Sequence, residues 1–430
     1  ALSARGDGIG AYVAVTAAYW AFMLTDGALR MLVLLHFHLI GFDPIQLAYL
    51  FLLYEFMGVV TNLSAGWLAA RFGLTRTLYA GFAFQVPALL WLTQLDPAWS
   101  MAASVAFVMT AQGLSGVAKD LTKMSAKSAV KLLAPADGAG GQGSQLFRWT
   151  AALTGSKNAV KGFGFLLGAA LLAVFGFQAA IFGMAGVLAL ILAAAGTFMP
   201  AGLPKGKKKA KFNEVFSKDP NINRLSAARF FLFGARDVWF VVGVPIYFHA
   251  VFSDGTPEGA REAFFLVGGF MALWIIGYGA VQATAPNILR AKTKTLSEIV
   301  GLARLWSWIL TAIPLALAAA ALAASQAGGA GGWLTPALLV GLLAFGGVFA
   351  LNSALHSYLI LAFSKAERVT MDVGFYYMSN AAGRLAGTLL SGLSYQLGGL
   401  PLCLATAGAM ALLSALTASA LTRKLAAIEG

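Results

Sequence analysis

Lys119, Lys123 and Lys127 recur every fourth residue inside the apolar stretch Gly113–Lys127. At 3.6 residues per turn their ammonium groups share one face of a helix. Lipid does not tolerate charges left facing it, so that face must meet something polar, and a row of ammonium groups suits an anion. Lys157 and Lys161 repeat the spacing with no acid nearby in the chain, either to face the same anion or to snorkel from a helix end. Arg229 and Arg236, seven apart, share a face from which a guanidinium can grip a phosphate or carboxylate with two parallel hydrogen bonds.

Basic groups dominate the apolar segments: Arg30, Lys119, Lys123, Lys157, Lys161, Arg229, Arg236, Arg304 and Arg384 stand against Asp26, Glu55, Asp120, Asp237 and Asp372. A buried cation needs a carboxylate, water or a bound anion. Asp26 with Arg30, four apart, and Asp120 with Lys123, three apart, are spaced either to neutralise each other or to serve the site. If protons are coupled to the reaction, Asp26, Glu55 and Asp372 are the candidates, since a carboxylate in a dry bundle can be made to titrate near neutrality.

Other residue types support less chemistry. His36 and His38 project to different sides of a helix, and His249 and His356 lie far off in sequence, so no metal centre is expected. Asn352, Ser353, His356, Ser357 and Tyr358 form a polar stripe that either hydrogen-bonds a substrate or closes an interhelical contact. Tyr19, Trp20, Trp239 and Tyr376 read as packing or interface aromatics. Cys403 is the only cysteine, which excludes an internal disulfide and a thiolate cluster for a soft metal. No cofactor is expected.

These residues are carried by a chain of 430 residues, 59% hydrophobic and only 11% charged, with mean hydropathy +0.77. That composition is foreign to soluble domains and defines an all-α polytopic membrane protein in the lipid bilayer. Twelve transmembrane helices are expected, at 11–40, 46–70, 75–95, 99–130, 146–175, 178–199, 222–251, 262–288, 296–323, 334–363, 369–397 and 401–422. The net charge of +13 gathers in alternate loops, at Arg71 and Arg76, Lys131, Lys205 to Lys211, Arg290 to Lys294, Lys365 and Arg368, and Arg423 with Lys424. This positive-inside pattern argues against nucleic acid and places both termini in the cytoplasm. The first ten residues contain no apolar core before a small-residue site, so no cleaved signal peptide is expected, and the first helix targets the membrane.

The basic stretch 200–221 divides the chain into six-helix bundles at 1–199 and 222–430. A weak internal repeat accompanies the division. Gly27-Ala28 beside Asp26 and Arg30 is answered by Gly234-Ala235 beside Arg236 and Asp237, and Asn158-Ala159 before Lys161 by Asn380-Ala381 before Arg384. Gly66-Trp67-Leu68-Ala69-Ala70-Arg71-Phe72-Gly73 resembles the loop signature of the major facilitator superfamily, with Ala70 where that signature has an aspartate that holds the bundles together in the outward-facing state. The departure leaves that gating contact open.

Longer segments resemble the ArsJ-type organoarsenical efflux permeases of that superfamily: Tyr19–Phe22, Leu24–Met31, Tyr54–Phe56, Lys119–Lys131, Gly155–Gly162 and Ala227–Trp239. The resemblance covers most of the chain and includes the membrane-embedded charges. It implies a major facilitator fold and an efflux transporter, not an enzyme, that exports 1-arseno-3-phosphoglycerate by alternating access and so confers arsenate resistance. It also implies glyceraldehyde-3-phosphate dehydrogenase as the functional partner that makes the ester. A substrate with a phosphoryl and an arsenyl group needs two anion subsites. Arg30, Lys119, Lys123, Lys157 and Lys161 are assigned to one and Arg229, Arg236 and Arg384 to the other, with Asn352 and His356 as polar contacts. A monomer in the bacterial inner membrane is expected. The competing readings are a transporter of organophosphates or inorganic phosphate and, from another class, a membrane-embedded enzyme acting on anionic lipid. The short loops hold no clustered His and carboxylate pair for such an enzyme.

Overall fold

The computed structural model describes residues 2–72, 74–133, 142–198, 217–328, 332–364 and 369–422. Among these residues every regular element is helical, as backbone in lipid requires. The elements are α1 (Leu2–Leu39), α2 (Pro44–Phe72), α3 (Leu74–Leu92), α4 (Met101–Leu133), α5 (Gln142–Phe175), α6 (Phe177–Phe198), α7 (Pro220–Phe252), α8 (Pro257–Ile288), α9 (Leu296–Gln326), α10 (Leu334–Phe363) and α11 (Val369–Ser419). Ten stretches among the described residues are long and apolar enough to cross a membrane. The last element breaks at Gly398 and Gly399, where Gly399 takes a left-handed φ of 60° before Pro401, close to the boundary expected between the last two spans. The side chains of Lys127, Lys131 and the signature residues 66–72, together with Gly73 and the basic run Lys205–Lys211, lie outside the described residues.

The chain packs as two compact units. The first comprises residues 1–40, 60–210 and 252–276; the second comprises 41–59, 211–251 and 277–430. The first half of α2 thus belongs to the second unit and the first half of α8 to the first.

Glycines set the closest helix contacts within each unit. A Cβ on Gly27 of α1 would come within 2.8 Å of the Lys161 carbonyl and 3.3 Å of Gly164 Cα on α5. In the second unit a Cβ on Gly387 of α11 would meet the Gly234 carbonyl at 2.7 Å and Gly234 Cα at 3.0 Å on α7. Small residues let helix backbones approach where van der Waals packing must replace the hydrophobic effect. The Gly-Ala repeat of α1 and α7 therefore marks equivalent packing seams.

Helix α7 widens into a π turn over Trp239–Gly243. Pro245 supplies no amide to the Val241 carbonyl and its ring presses on that carbonyl, so a regular helix is disfavoured there. The amides of Val242 and Gly243 both donate to Ser391 Oγ at 3.1 Å, and Cys403 Sγ donates to the Val238 carbonyl at 3.2 Å. The irregularity lies directly after Arg236 and Asp237, in register with the charged residues.

Candidate anion site

In the second unit, α7 presents Arg229, Phe233 and Arg236 on one face, as their spacing of four and three requires. Arg229 is 4% exposed. Its Nε donates to Asn380 Oδ1 at 2.9 Å, and its Nη1 donates to the Ser353 carbonyl at 3.2 Å and to Ser353 Oγ at 2.9 Å. Its guanidinium carbon lies 4.1 Å from the Phe233 ring centroid and 4.9 Å from that of Tyr376. All of these partners are neutral. Among the described residues Arg229 has no carboxylate partner, and its Nη2 edge makes no hydrogen bond. A buried guanidinium held this way has no carboxylate to neutralise it and keeps an open donor edge, which is what an incoming oxyanion needs.

Arg236 and Arg384 are placed differently. Arg236 donates from Nε to Asp237 Oδ1 at 2.6 Å, and its Nη2 lies 2.5 Å from the same oxygen. The other Asp237 oxygen accepts from Arg384 Nε at 3.3 Å, while Arg384 Nη2 donates to Glu55 Oε1 at 2.8 Å. Two arginines and two carboxylates thus form a neutral chain, Arg236–Asp237–Arg384–Glu55. The expected subsite of Arg229, Arg236 and Arg384 resolves into one uncompensated cation and two compensated ones.

Asn352 and His356 are fully buried on α10. Asn352 donates to the Trp306 and Val348 carbonyls at 2.9 and 3.2 Å and accepts from Ser307 Oγ at 3.1 Å. It is an interhelical contact in this structure, its bonding capacity nearly filled. His356 is the opposite case, with neither ring nitrogen hydrogen-bonded among the described residues. Gln282 Nε2 donates to Ser353 Oγ at 3.2 Å, so Ser353 connects α8, α10 and Arg229.

In the first unit Arg30, Lys119, Asp26 and Asp120 are buried, and Lys123, Lys157 and Lys161 are half-buried. Lys119 Nζ stands 3.9 Å from Asp120 Oδ1, and Asp120 Oδ2 accepts a hydrogen bond from Thr61 Oγ1. Trp20, read as a packing or interface aromatic, donates from Nε1 to Ser156 Oγ at 2.9 Å, next to Lys157 in the chain. Asp372, the remaining carboxylate considered for proton coupling, is buried at the start of α11. No group of three His, Cys, Asp or Glu able to hold a metal occurs among the described residues.

Sequence reasoning missed Ser353, Asn380 and Phe233 as the residues that shape Arg229, and read Tyr376 as a packing or interface aromatic. Asn380 had a signal, its place in the internal repeat. Ser353 stood in the polar stripe of α10, but nothing in its spacing singled it out from Asn352.

No family profile and no curated protein matches the chain. Solved structures do. The nucleoside transporter NupG (D323A mutant) superimposes with a TM-score of 0.70 over 95% of this chain and 99% of its own, at 14% identity. A bacterial homologue of the human drug peptide transporters PepT1 and PepT2 gives a TM-score of 0.65 over 96% and 98%, at 15% identity. Near-complete coverage in both directions at such low identity speaks for shared architecture, and the chain has the all-helical fold of these two transporters.

Proposed function

We propose that this protein is a secondary transporter, not an enzyme, that carries a small organic anion bearing phosphoryl or arsenyl groups by alternating access between its two six-helix bundles, joined through 200–221. The observation that carries this reading is Arg229, a buried guanidinium with neutral partners and an open donor edge. The resemblance of the charged segments to organoarsenical efflux permeases extends it to export of 1-arseno-3-phosphoglycerate, and so to arsenate resistance. In this reading Arg229 receives one anionic end, with Arg236, Arg384, Asn352 and His356 around it, and Arg30, Lys119, Lys123, Lys157 and Lys161 receive the other. The protein acts as a monomer in the bacterial inner membrane with cytoplasmic termini, downstream of glyceraldehyde-3-phosphate dehydrogenase.

The membrane potential supplies a driving force. Moving one charge through 100 mV is worth about 2.3 kcal/mol, so exporting three negative charges from a negative interior yields roughly 7 kcal/mol. Hydrolysis of the ester outside keeps export one-way. Proton coupling through Asp26, Glu55 or Asp372 is then an addition, tested by whether Asp26→Asn changes the pH dependence of transport.

The decisive experiment uses everted vesicles supplied with the dehydrogenase, its cofactor, glyceraldehyde 3-phosphate and arsenate, each omitted in turn. Arsenic accumulation only with the full mixture supports the arsenyl ester as substrate. Accumulation with arsenate alone, or displacement by phosphate or 3-phosphoglycerate, moves the assignment to a general phosphate or organophosphate carrier.

A further inference from the structure

We infer that His356 recognises a hydroxyl group on the transported anion: an oxyanion of the substrate docks on Arg229, the imidazole hydrogen-bonds a hydroxyl on the carbon chain beside it, and the site thereby selects hydroxylated anions over plain ones. The inference rests on the anion-transport reading and adds to it the group that decides between anions of equal charge.

The polar stripe of α10 carries the argument. Asn352 is engaged with the Trp306 and Val348 carbonyls and with Ser307. Ser353 Oγ accepts from Arg229 and Gln282, and Ser357 Oγ donates to the Ser353 carbonyl at 2.9 Å. His356 lies among these bonded neighbours and is fully buried, yet neither Nδ1 nor Nε2 has a hydrogen-bond partner among the described residues. It follows Ser353 by three residues and so shares the helix face that holds Arg229. Its ring lies within electrostatic reach of that guanidinium. All of these groups belong to the second unit, so the arrangement is internal to one compact body.

The chemistry of the ligand group follows from that of the imidazole. In its neutral form one ring nitrogen donates and the other accepts. Buried groups left unmet cost about as much as lost hydrogen bonds, so a ligand that meets them gains affinity. A fully ionised phosphoryl, arsenyl or carboxyl group has acceptors only and can satisfy the N–H alone. The bare nitrogen requires a donor, and on an ionised organic anion that donor is a hydroxyl. Arg229 therefore senses charge, while His356 senses whether the carbon chain next to that charge is hydroxylated.

Calorimetry on the purified full chain in detergent tests this at pH 8, where a phosphoryl group with a second pKa of about 6 holds no proton. The probes are 3-phosphoglycerate and 3-phosphooxypropanoate, which has the same charge and no hydroxyl. The parent protein should prefer 3-phosphoglycerate by roughly tenfold, the worth of one hydrogen bond left unmet. His356→Leu should abolish the preference, and His356→Gln, whose amide also offers a donor and an acceptor, should restore part of it. Arg229→Gln should weaken both probes and keep the preference. A merely structural role for His356 predicts that His356→Leu weakens both probes alike. That result, or a parent protein that does not distinguish the probes, overturns the inference and leaves the anion reading standing. Binding of neither probe by the parent protein overturns both. Unfolding midpoints verify that each variant is folded, and His356→Met gives the same reading if the leucine variant is not.

Discussion

Phe233 lies under two guanidinium groups at once, with Arg229 Cζ 4.1 Å and Arg236 Cζ 4.9 Å from its ring centroid. The two arginines differ in every other respect, one neutralised by Asp237 and the other not, and the ring face is the environment they share. A quadrupole beneath a desolvated cation contributes up to about 2 kcal/mol. Phe233→Leu keeps the apolar volume and removes the quadrupole. It should lower stability by about 1–2 kcal/mol, read as an earlier thermal unfolding midpoint in detergent. Phe349→Leu is the comparison, because that ring lies farther from Arg236, at 5.6 Å.

Arg229→Lys tests whether charge alone suffices. A lysine cannot keep Asn380 and Ser353 engaged and still present a planar edge to an oxyanion. Charge-assisted hydrogen bonds contribute roughly 1.5–3 kcal/mol each, so transport in everted vesicles should drop by about tenfold or more, and lysine should rescue little over Arg229→Gln. Parent-level transport with lysine would show that a point charge does the binding.

Much of this was legible in the chain. Span positions were, because lipid demands uninterrupted apolar helices: the span expected at 334–363 is α10, Leu334–Phe363. The Gly-Ala repeat was legible too, and it proves to be a packing repeat. Charge pairing was not, because it is long-range: Glu55 meets Arg384 across 329 positions and Arg229 meets Asn380 across 151. A sequence that counts cations cannot say which of them has found a distant carboxylate. The carboxylate partners of Arg384 were therefore hidden, and the polar stripe of Asn352 stayed open between substrate and interhelical contact because nothing near it in sequence names Trp306 as its acceptor.

Outside the membrane-spanning segments, the turn before α8 offers a pH prediction. Thr256 donates to Asp254 Oδ1 from its amide at 2.9 Å and its hydroxyl at 2.6 Å. The Thr256 hydroxyl bond, then its amide, holds the Asp254 carboxyl below its ordinary value of 3.8. A depressed folded value means that the turn gains from ionisation above the unfolded pKa and loses that gain as pH falls through the folded one. Carbon-13 NMR of labelled aspartate should find Asp254 titrating below the ordinary value, and Thr256→Val should return it toward 3.8. An Asp254 that titrates at or above that value in the parent protein overturns the assignment.

The glycine seams give the clearest contrast between packing and exposure. Gly27→Ala would drive a methyl against the Lys161 carbonyl, and Gly387→Ala would drive one against the Gly234 backbone; neither obstacle is a flexible side-chain tip. Overpacking of this kind costs about 1–3 kcal/mol. Gly183 of α6 has nothing within 4 Å of an added Cβ, and alanine there gains the ordinary helix-propensity advantage of about 1 kcal/mol. Gly27→Ala and Gly387→Ala should therefore lower the unfolding midpoint, while Gly183→Ala leaves it unchanged or raises it. The two seam variants should also be similar in size, because α1 on α5 and α7 on α11 use the same backbone approach. If only one of them is sensitive, the repeat in sequence is not a repeat in packing energy, and the shared Gly-Ala pair is a coincidence of composition.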